Sequence, residues 1–274
     1  NTIKSYAFQG CNALVNVKLP DSITSIEYGT FKECISLVSI DIPNSVTNIG
    51  DYAFHWCYEL SSVDMSDVLV SIGKEAFGEC KKLRDITLPD TLTSIGYYAF
   101  GNCESLVSIK IPDLITNIPD SAFSGCYSLA NVVLPETLKE IGRYAFLGCA
   151  FESIVLPESL TNISEGVFGT CDSLVTMTIP DSVKNIGDGA FSACDSLETV
   201  VLGRNIESIG ESAFKNCFKL ASINIPSKVT HIGKNAFYNC DGLRNIIIPI
   251  SVTTMGYYAF GTCDNLTIYC EASS

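Results

Sequence analysis

Positive charge is scarce in this sequence: 17 Lys and Arg face 30 Asp and Glu among 274 residues, leaving a net charge of −13. A face that neutralises phosphates needs clustered Lys and Arg, so nucleic acid is excluded as a partner class. Histidine occurs only twice, as His55 and His231. Nucleophilic catalysis needs its groups within hydrogen-bond reach of one another, and two histidines so far apart give no such set. Both are read as surface residues without a catalytic role. No Cys-x-x-Cys or Cys/His cluster occurs, nor any Gly-rich phosphate loop, so no metal, cofactor or catalytic residue is assigned. No run of about 18 apolar residues exists, which excludes direct membrane insertion. The opening Asn-Thr-Ile-Lys-Ser-Tyr is neither a signal peptide nor a basic targeting segment. What the chain does have is apolar substance: 47% hydrophobic against 17% charged residues, a composition that forms a core.

That apolar substance is periodic. Twelve of the 14 phenylalanines form one column: Phe8, Phe31, Phe54, Phe77, Phe100, Phe123, Phe146, Phe168, Phe191, Phe214, Phe237 and Phe260. The spacing is 23 residues, and 22 between Phe146 and Phe168. A cysteine follows each by three residues, from Cys11 to Cys263, and leucine follows by three more in eleven of the twelve units. In the short unit Phe151 takes the leucine place one residue early. A 23-residue unit cannot bury its own apolar face, whereas stacked copies can, so the period predicts a solenoid.

Residues 89–112 show the local reading. Leu106-Val-Ser-Ile-Lys-Ile-Pro112 ends in alternation, with Ile109 and Ile111 on one side and Ser108 and Lys110 on the other, which is strand behaviour. Proline stops the ladder and the neighbouring Asp favours a turn. Leu92-Thr-Ser-Ile95 is a short second strand, and Gly96 permits a bend. Tyr98–Cys103 is too short for an ordinary helix and is read as a single helical or 3₁₀ turn. The expectation is one solenoid domain over 1–274, with about 11–12 coils and one parallel sheet of strands roughly 4.8 Å apart.

The pattern Leu-x-x-Ile-x-Ile-Pro, then Leu-Thr-x-Ile-Gly-x-x-Ala-Phe-x-x-Cys, resembles the BspA-like leucine-rich repeats over essentially the whole chain. The resemblance implies a right-handed leucine-rich-repeat superhelix, commonly part of a larger secreted or surface protein. Some members are linked to binding host matrix proteins or host cells. Departures are Asp64-Met-Ser-Asp67, which lacks the proline, Gly203 in its place once, and Pro119 in place of the usual glycine. The short unit at Cys149–Ile154 is expected to tighten its turn. The chain begins inside a repeat without a polar capping unit, so a fragment of a longer protein is expected, and its open ends allow self-association.

A cysteine at one place in every coil reads as a small inward hydrophobe, giving a reduced, buried ladder. Asp41 and Asp64 on neighbouring coils read as solvated strand residues. The informative column is the outward strand position: Lys18, Asp41, Asp64, Thr87 and Lys110, then Val133, Val155, Thr178, Val201, Asn224 and Ile247. From Val133 on, apolar residues stand where solvation favours polar ones, which marks a partner-binding face. Tyr98 and Tyr144, from a tyrosine column two residues before Phe, are further candidates because tyrosine makes stiff amphipathic anchors; packing on the turn face is the competing reading. The functional expectation is a non-enzymatic recognition domain of a secreted or cell-surface protein. It would contact a protein ligand, such as a host matrix or cell-surface protein, through the sheet face. The alternative is a spacer or stalk with no ligand of its own.

Overall fold

The computed structural model describes residues 3–271. Its contacts divide into two compact units, Asn1–Leu138 and Lys139–Ser274. Both are built as coils of a β-solenoid with parallel strands, and no helix forms among the described residues.

The turn that carries the phenylalanine explains why. In Gly96–Cys103 the N–H groups of Ala99, Gly101 and Cys103 donate within the coil, to the carbonyls of Gly96, Tyr98 and Phe100 at 3.2, 3.0 and 3.2 Å. Those of Tyr98, Phe100 and Asn102 donate to Asp120, Ala122 and Ser124 of the next coil at 3.2, 2.9 and 2.7 Å. Tyr98 and Asn102 take φ of +52° and +54°. A left-handed residue at every fourth position stops helical propagation. The expected helical or 3₁₀ turn is therefore a run of hydrogen-bonded turns in which alternate N–H groups hold the next coil.

The strand after it differs from expectation in a second way. Its ladders are short: Ser39–Asp41 with Ser62–Asp64, and Ser108–Lys110 with Asn131–Val133, in the first unit. The second unit has Thr176–Thr178, Thr199–Val201 and Ser222–Ile223 in one ladder, and Asn245–Ile248 with Thr267–Cys270 in another. The single continuous sheet is thus broken. The longer ladders belong to the two-residue second strands: four from Ser25–Ile26 to Ser94–Ile95, and five from Asn162–Ile163 to Thr254–Met255.

Glycine accounts for the continuity of that second ladder. Gly73 N–H donates to Ile49 O, and Gly210 N–H to Ile186 O, both at 2.8 Å. A Cβ on Gly96 would stand 2.4 Å from the Gly73 carbonyl carbon and the Lys74 nitrogen. Gly96 has no positive φ, so its role is close approach of two backbones and not a bend. A paired substitution checks this. Gly189 has φ +60°, and an added Cβ would meet only Ser192 Cβ at 3.9 Å, an ordinary contact, so Gly189→Ala should cost only about 1–2 kcal/mol of left-handed strain. Gly96→Ala must instead push adjacent coils apart and should lower the urea midpoint further; equal losses would sink the close-approach argument.

The proline turn tolerates its exceptions. Leu92 N–H donates to Pro89 O at 3.0 Å, and Ser66 makes the same turn through Leu69 N–H at 3.2 Å. Ser66 is buried, and its Oγ also accepts Val68 N–H at 3.3 Å. In the short unit the missing residue does more than tighten a turn: residues 151–156 form no strand. Phe151 packs edge-on between Phe146 and Phe168, at 6.2 and 6.0 Å between ring centres.

Candidate partner-binding face

What holds the face in place is a column of stacked rings. In the first unit, ring centres from Phe8 to Phe123 are 5.1–5.4 Å apart and nearly parallel. In the second unit, Phe168 to Phe260 repeat this at 5.1–5.4 Å. Phe8 and Phe260 keep some exposure, while those between are buried.

Beside the rings runs the thiol ladder. All thirteen cysteines are free thiols, and ten of them, Cys34 through Cys240, are buried. Cys57 Sγ donates to Phe31 O at 3.1 Å, Cys126 to Phe100 O at 3.2 Å and Cys217 to Phe191 O at 3.1 Å. The Phe31 and Phe100 carbonyls also accept the N–H of their own coil's cysteine, Cys34 at 3.0 Å and Cys103 at 3.2 Å. Burial pushes the Cys34 thiol up to about 11 and Cys126 up to about 12, so the donor proton stays in place. A protonated thiol satisfies a carbonyl where a methyl group could not, which gives cysteine a reason to recur beyond its size.

Outside that core, the sequence candidates are placed as follows. Val133 in the first unit is 58% exposed. In the second unit Val155 is 82%, Val201 49% and Ile247 58% exposed, and Thr178 and Asn224 are also exposed. Thr178 lies in register beside Val201. Asn224 turns its amide onto the preceding coil: Oδ1 accepts Leu202 N–H at 2.8 Å and Nδ2 donates to Leu202 O at 3.2 Å. Ile247 lies in register with Tyr269, which is 54% exposed and extends the apolar column by one coil. Tyr269 sits 22 residues on from Ile247, so the 23-residue template passes over it.

Tyr98 and Tyr144 lie on the turn side, one in each unit. Both take positive φ. Tyr98 is half-buried, donates to Glu79 Oε1 at 3.2 Å, and lies over Gly101, where an added Cβ would come within 2.3 Å of its ring. Tyr144 donates to Glu165 Oε1 and fills the space above Gly166. Burial raises the Tyr98 hydroxyl, and the bond to Glu165 raises that of Tyr144. Both rings thus occupy room that a neighbouring glycine leaves.

His55 corrects an expectation. It is 5% exposed and not a surface residue. Its ring meets Tyr52 edge-on at 5.5 Å and Trp56 at 4.4 Å, and Gly78 makes the burial possible, since a Cβ there would stand 2.7 Å from Nδ1. Burial lowers its basicity, partly opposed by Glu75, whose Oε2 is 3.7 Å from Nδ1. His231 is exposed in its strand. Asp41 and Asp64 lie in register and exposed. No group of three or more His, Cys, Asp or Glu suited to a metal ion occurs among the described residues. No helix among them is long and apolar enough to cross a membrane.

Comparison with known proteins matches this geometry. A family model described as BspA type leucine rich repeat region matches over residues 1–71, 47–174 and 139–267, with six copies. Among solved structures, a leucine-rich repeat protein from Bacteroides ovatus is similar at 28% identity and a TM-score of 0.75, over 98% of this chain and 78% of that one. A leucine rich cell surface protein from Faecalibacterium prausnitzii is similar at 28% identity and a TM-score of 0.56, over 99% and 90% of the two chains. The pneumococcal vaccine antigen PcpA, at 22% identity and a TM-score of 0.51 over 92% and 72%, shares the fold. No curated protein sequence matches the chain.

Proposed function

We propose that this chain, which belongs to the BspA type leucine-rich repeat family, is a non-enzymatic recognition domain of a secreted or cell-surface protein. Its ligand in this reading is a protein, held by multivalent contact along the strand face of the Lys139–Ser274 unit. One observation carries the reading: Val155, Val201, Ile247 and Tyr269 are all exposed on the outward column, where Thr176, Thr178 and Thr199 leave the surface low. Solvation alone favours polar groups at such positions, and a row of exposed apolar side chains between small hydroxyls is suited to desolvation by a partner. The cell-surface description of the Faecalibacterium relative supports the location. The 23-residue period that runs through Leu138 and Lys139 in sequence supports one repeat domain.

The test is a saturable binding assay of the purified protein against immobilised extracellular-matrix and serum proteins. Val155→Asp with Val201→Asp should abolish saturable binding while leaving the melting temperature nearly unchanged, because neither side chain is buried. Binding that survives this pair would move the ligand to another face. A protein that binds nothing and tolerates changes throughout the column would favour the spacer.

A further inference from the structure

A groove of about 700 Å³ opens on the strand face of the first unit, between residues 86–91 and the strands Ser108–Lys110 and Asn131–Val133. It lies where the ladder is broken. Asp85 makes only an isolated bridge with Ser62, and residues 86–88 join no strand. The coils stay pinned just upstream, where Val107 N–H donates to Arg84 O at 3.1 Å.

The break leaves backbone groups open. At the end of three other strands the N–H of Ile42, Ile111 and Ile179 donates to the following coil, to Asp64, Val133 and Val201 at 2.8, 2.9 and 2.8 Å. Leu88 holds the same register, and its N–H reaches no carbonyl among the described residues. Several coils lack this bond, and the one at Leu88 borders a cavity of ligand size. In the second unit the equivalent Leu202 shows what fits there. The Asn224 side-chain amide engages both its N–H and its C=O. An amide group is therefore the natural complement of this register.

Charge narrows the occupant. Asp67 and Asp90 line the groove, and Asp64 and Asp85 line an adjoining cleft with Asp67 and Thr87. The cation in the groove is Lys110, 3.7 Å from Asp90, with both side chains largely exposed.

We propose that this groove docks an extended basic segment of a protein partner. One of its backbone amides pairs with Leu88, and its Lys or Arg side chain lies against Asp67 and Asp90 in competition with Lys110. The backbone bond at Leu88 and the fit in the groove give the affinity, and the carboxylates give the preference for positive charge. This rests on the reading of the protein as a protein-binding domain, and uses a face of the first unit distinct from the apolar column of the second.

The probe is the capped peptide acetyl-Thr-Lys-Thr-Lys-Thr-Lys-amide, titrated calorimetrically at low salt, with spermine as a cation that lacks peptide bonds. The peptide should bind saturably and spermine should not. Asp67→Asn with Asp90→Asn should weaken the peptide about tenfold, and Lys110→Gln should tighten it several-fold. Asp241→Asn with Asp264→Asn, which removes the same charge from exposed turns of the second unit, should change it less than about twofold. Equal loss in both aspartate pairs, spermine binding as well as the peptide, or no saturable binding would overturn the site. Matrix-protein binding lost in the Val155/Val201 pair but kept in the Asp67/Asp90 pair separates failure of this groove from failure of the recognition reading.

Discussion

Raising the pH from 7.5 to 9.5 should lower the stability of this protein steeply. Four buried thiols in each unit drive it: Cys57, Cys80, Cys103 and Cys126, then Cys171, Cys194, Cys217 and Cys240. Burial raises all of them, Cys126 to about 12. In the unfolded chain a thiol ionises near pH 8.5. Above that pH the unfolded state holds fewer protons than the folded one, so the free energy of unfolding falls as pH rises. Stability from these groups is whole below about pH 8.5 and is lost progressively as the pH rises towards each thiol's folded value, which for Cys126 is about 12. One unit above the unfolded value each thiol withdraws on the order of 1 kcal/mol. Four per unit then remove several kcal/mol, a large share of what holds a small domain together. Urea midpoints measured with a non-thiol reductant at pH 7.5, 8.5 and 9.5 would show it. A flat profile would mean that the ladder titrates freely in the folded state. At pH 7.5 the exposed Cys11 and Cys270 should react promptly with a disulfide reagent, and the buried ladder only after unfolding.

Replacing Phe191 with alanine should cost about 3–5 kcal/mol. The ring is fully buried and stacks on Phe168 and Phe214 at 5.4 and 5.2 Å. Its loss leaves a cavity and breaks two ring contacts, each worth about 0.5–1.5 kcal/mol beyond area burial. Coils contact only their neighbours, so the cost depends on position in the stack. Phe260 keeps some exposure and is stacked on Phe237 at 5.1 Å, so Phe260→Ala should cost less than half as much. Chemical denaturation of both variants checks this. A loss below about 1 kcal/mol for Phe191→Ala would refute the view that the ring column carries the stability of its unit.

The same two columns mark the boundary between what could be read from residues and what could not. Phe, Cys and Leu recur at fixed offsets because each faces the same interior in every coil. A one-dimensional period was enough to predict the solenoid, the parallel register and the reduced cysteines. The exposure of Val201 and Ile247 was legible too, since alternation along a strand assigns the outward side, and Val155 keeps the same outward place although its segment forms no strand. Other features depend on the neighbouring coil and leave no mark within a repeat. Tyr98 reads as a binding anchor in its own unit, and its packing over Gly78 and its bond to Glu79 of the preceding coil leave no mark there. His55 looks like a surface turn residue until Gly78 and Tyr52 close over it.

The sequence by itself determined which residues face inward and that the coils must stack, because a 23-residue unit has no other way to bury its phenylalanine. Tertiary structure decided where adjacent backbones meet. Glycine lets the second strands touch and pair in long ladders, whereas the outward ladder is interrupted at Ile86–Leu88, beside the groove of the first unit. That interruption depends on how residues 23 apart in the chain meet, and side-chain periodicity carries no information about it.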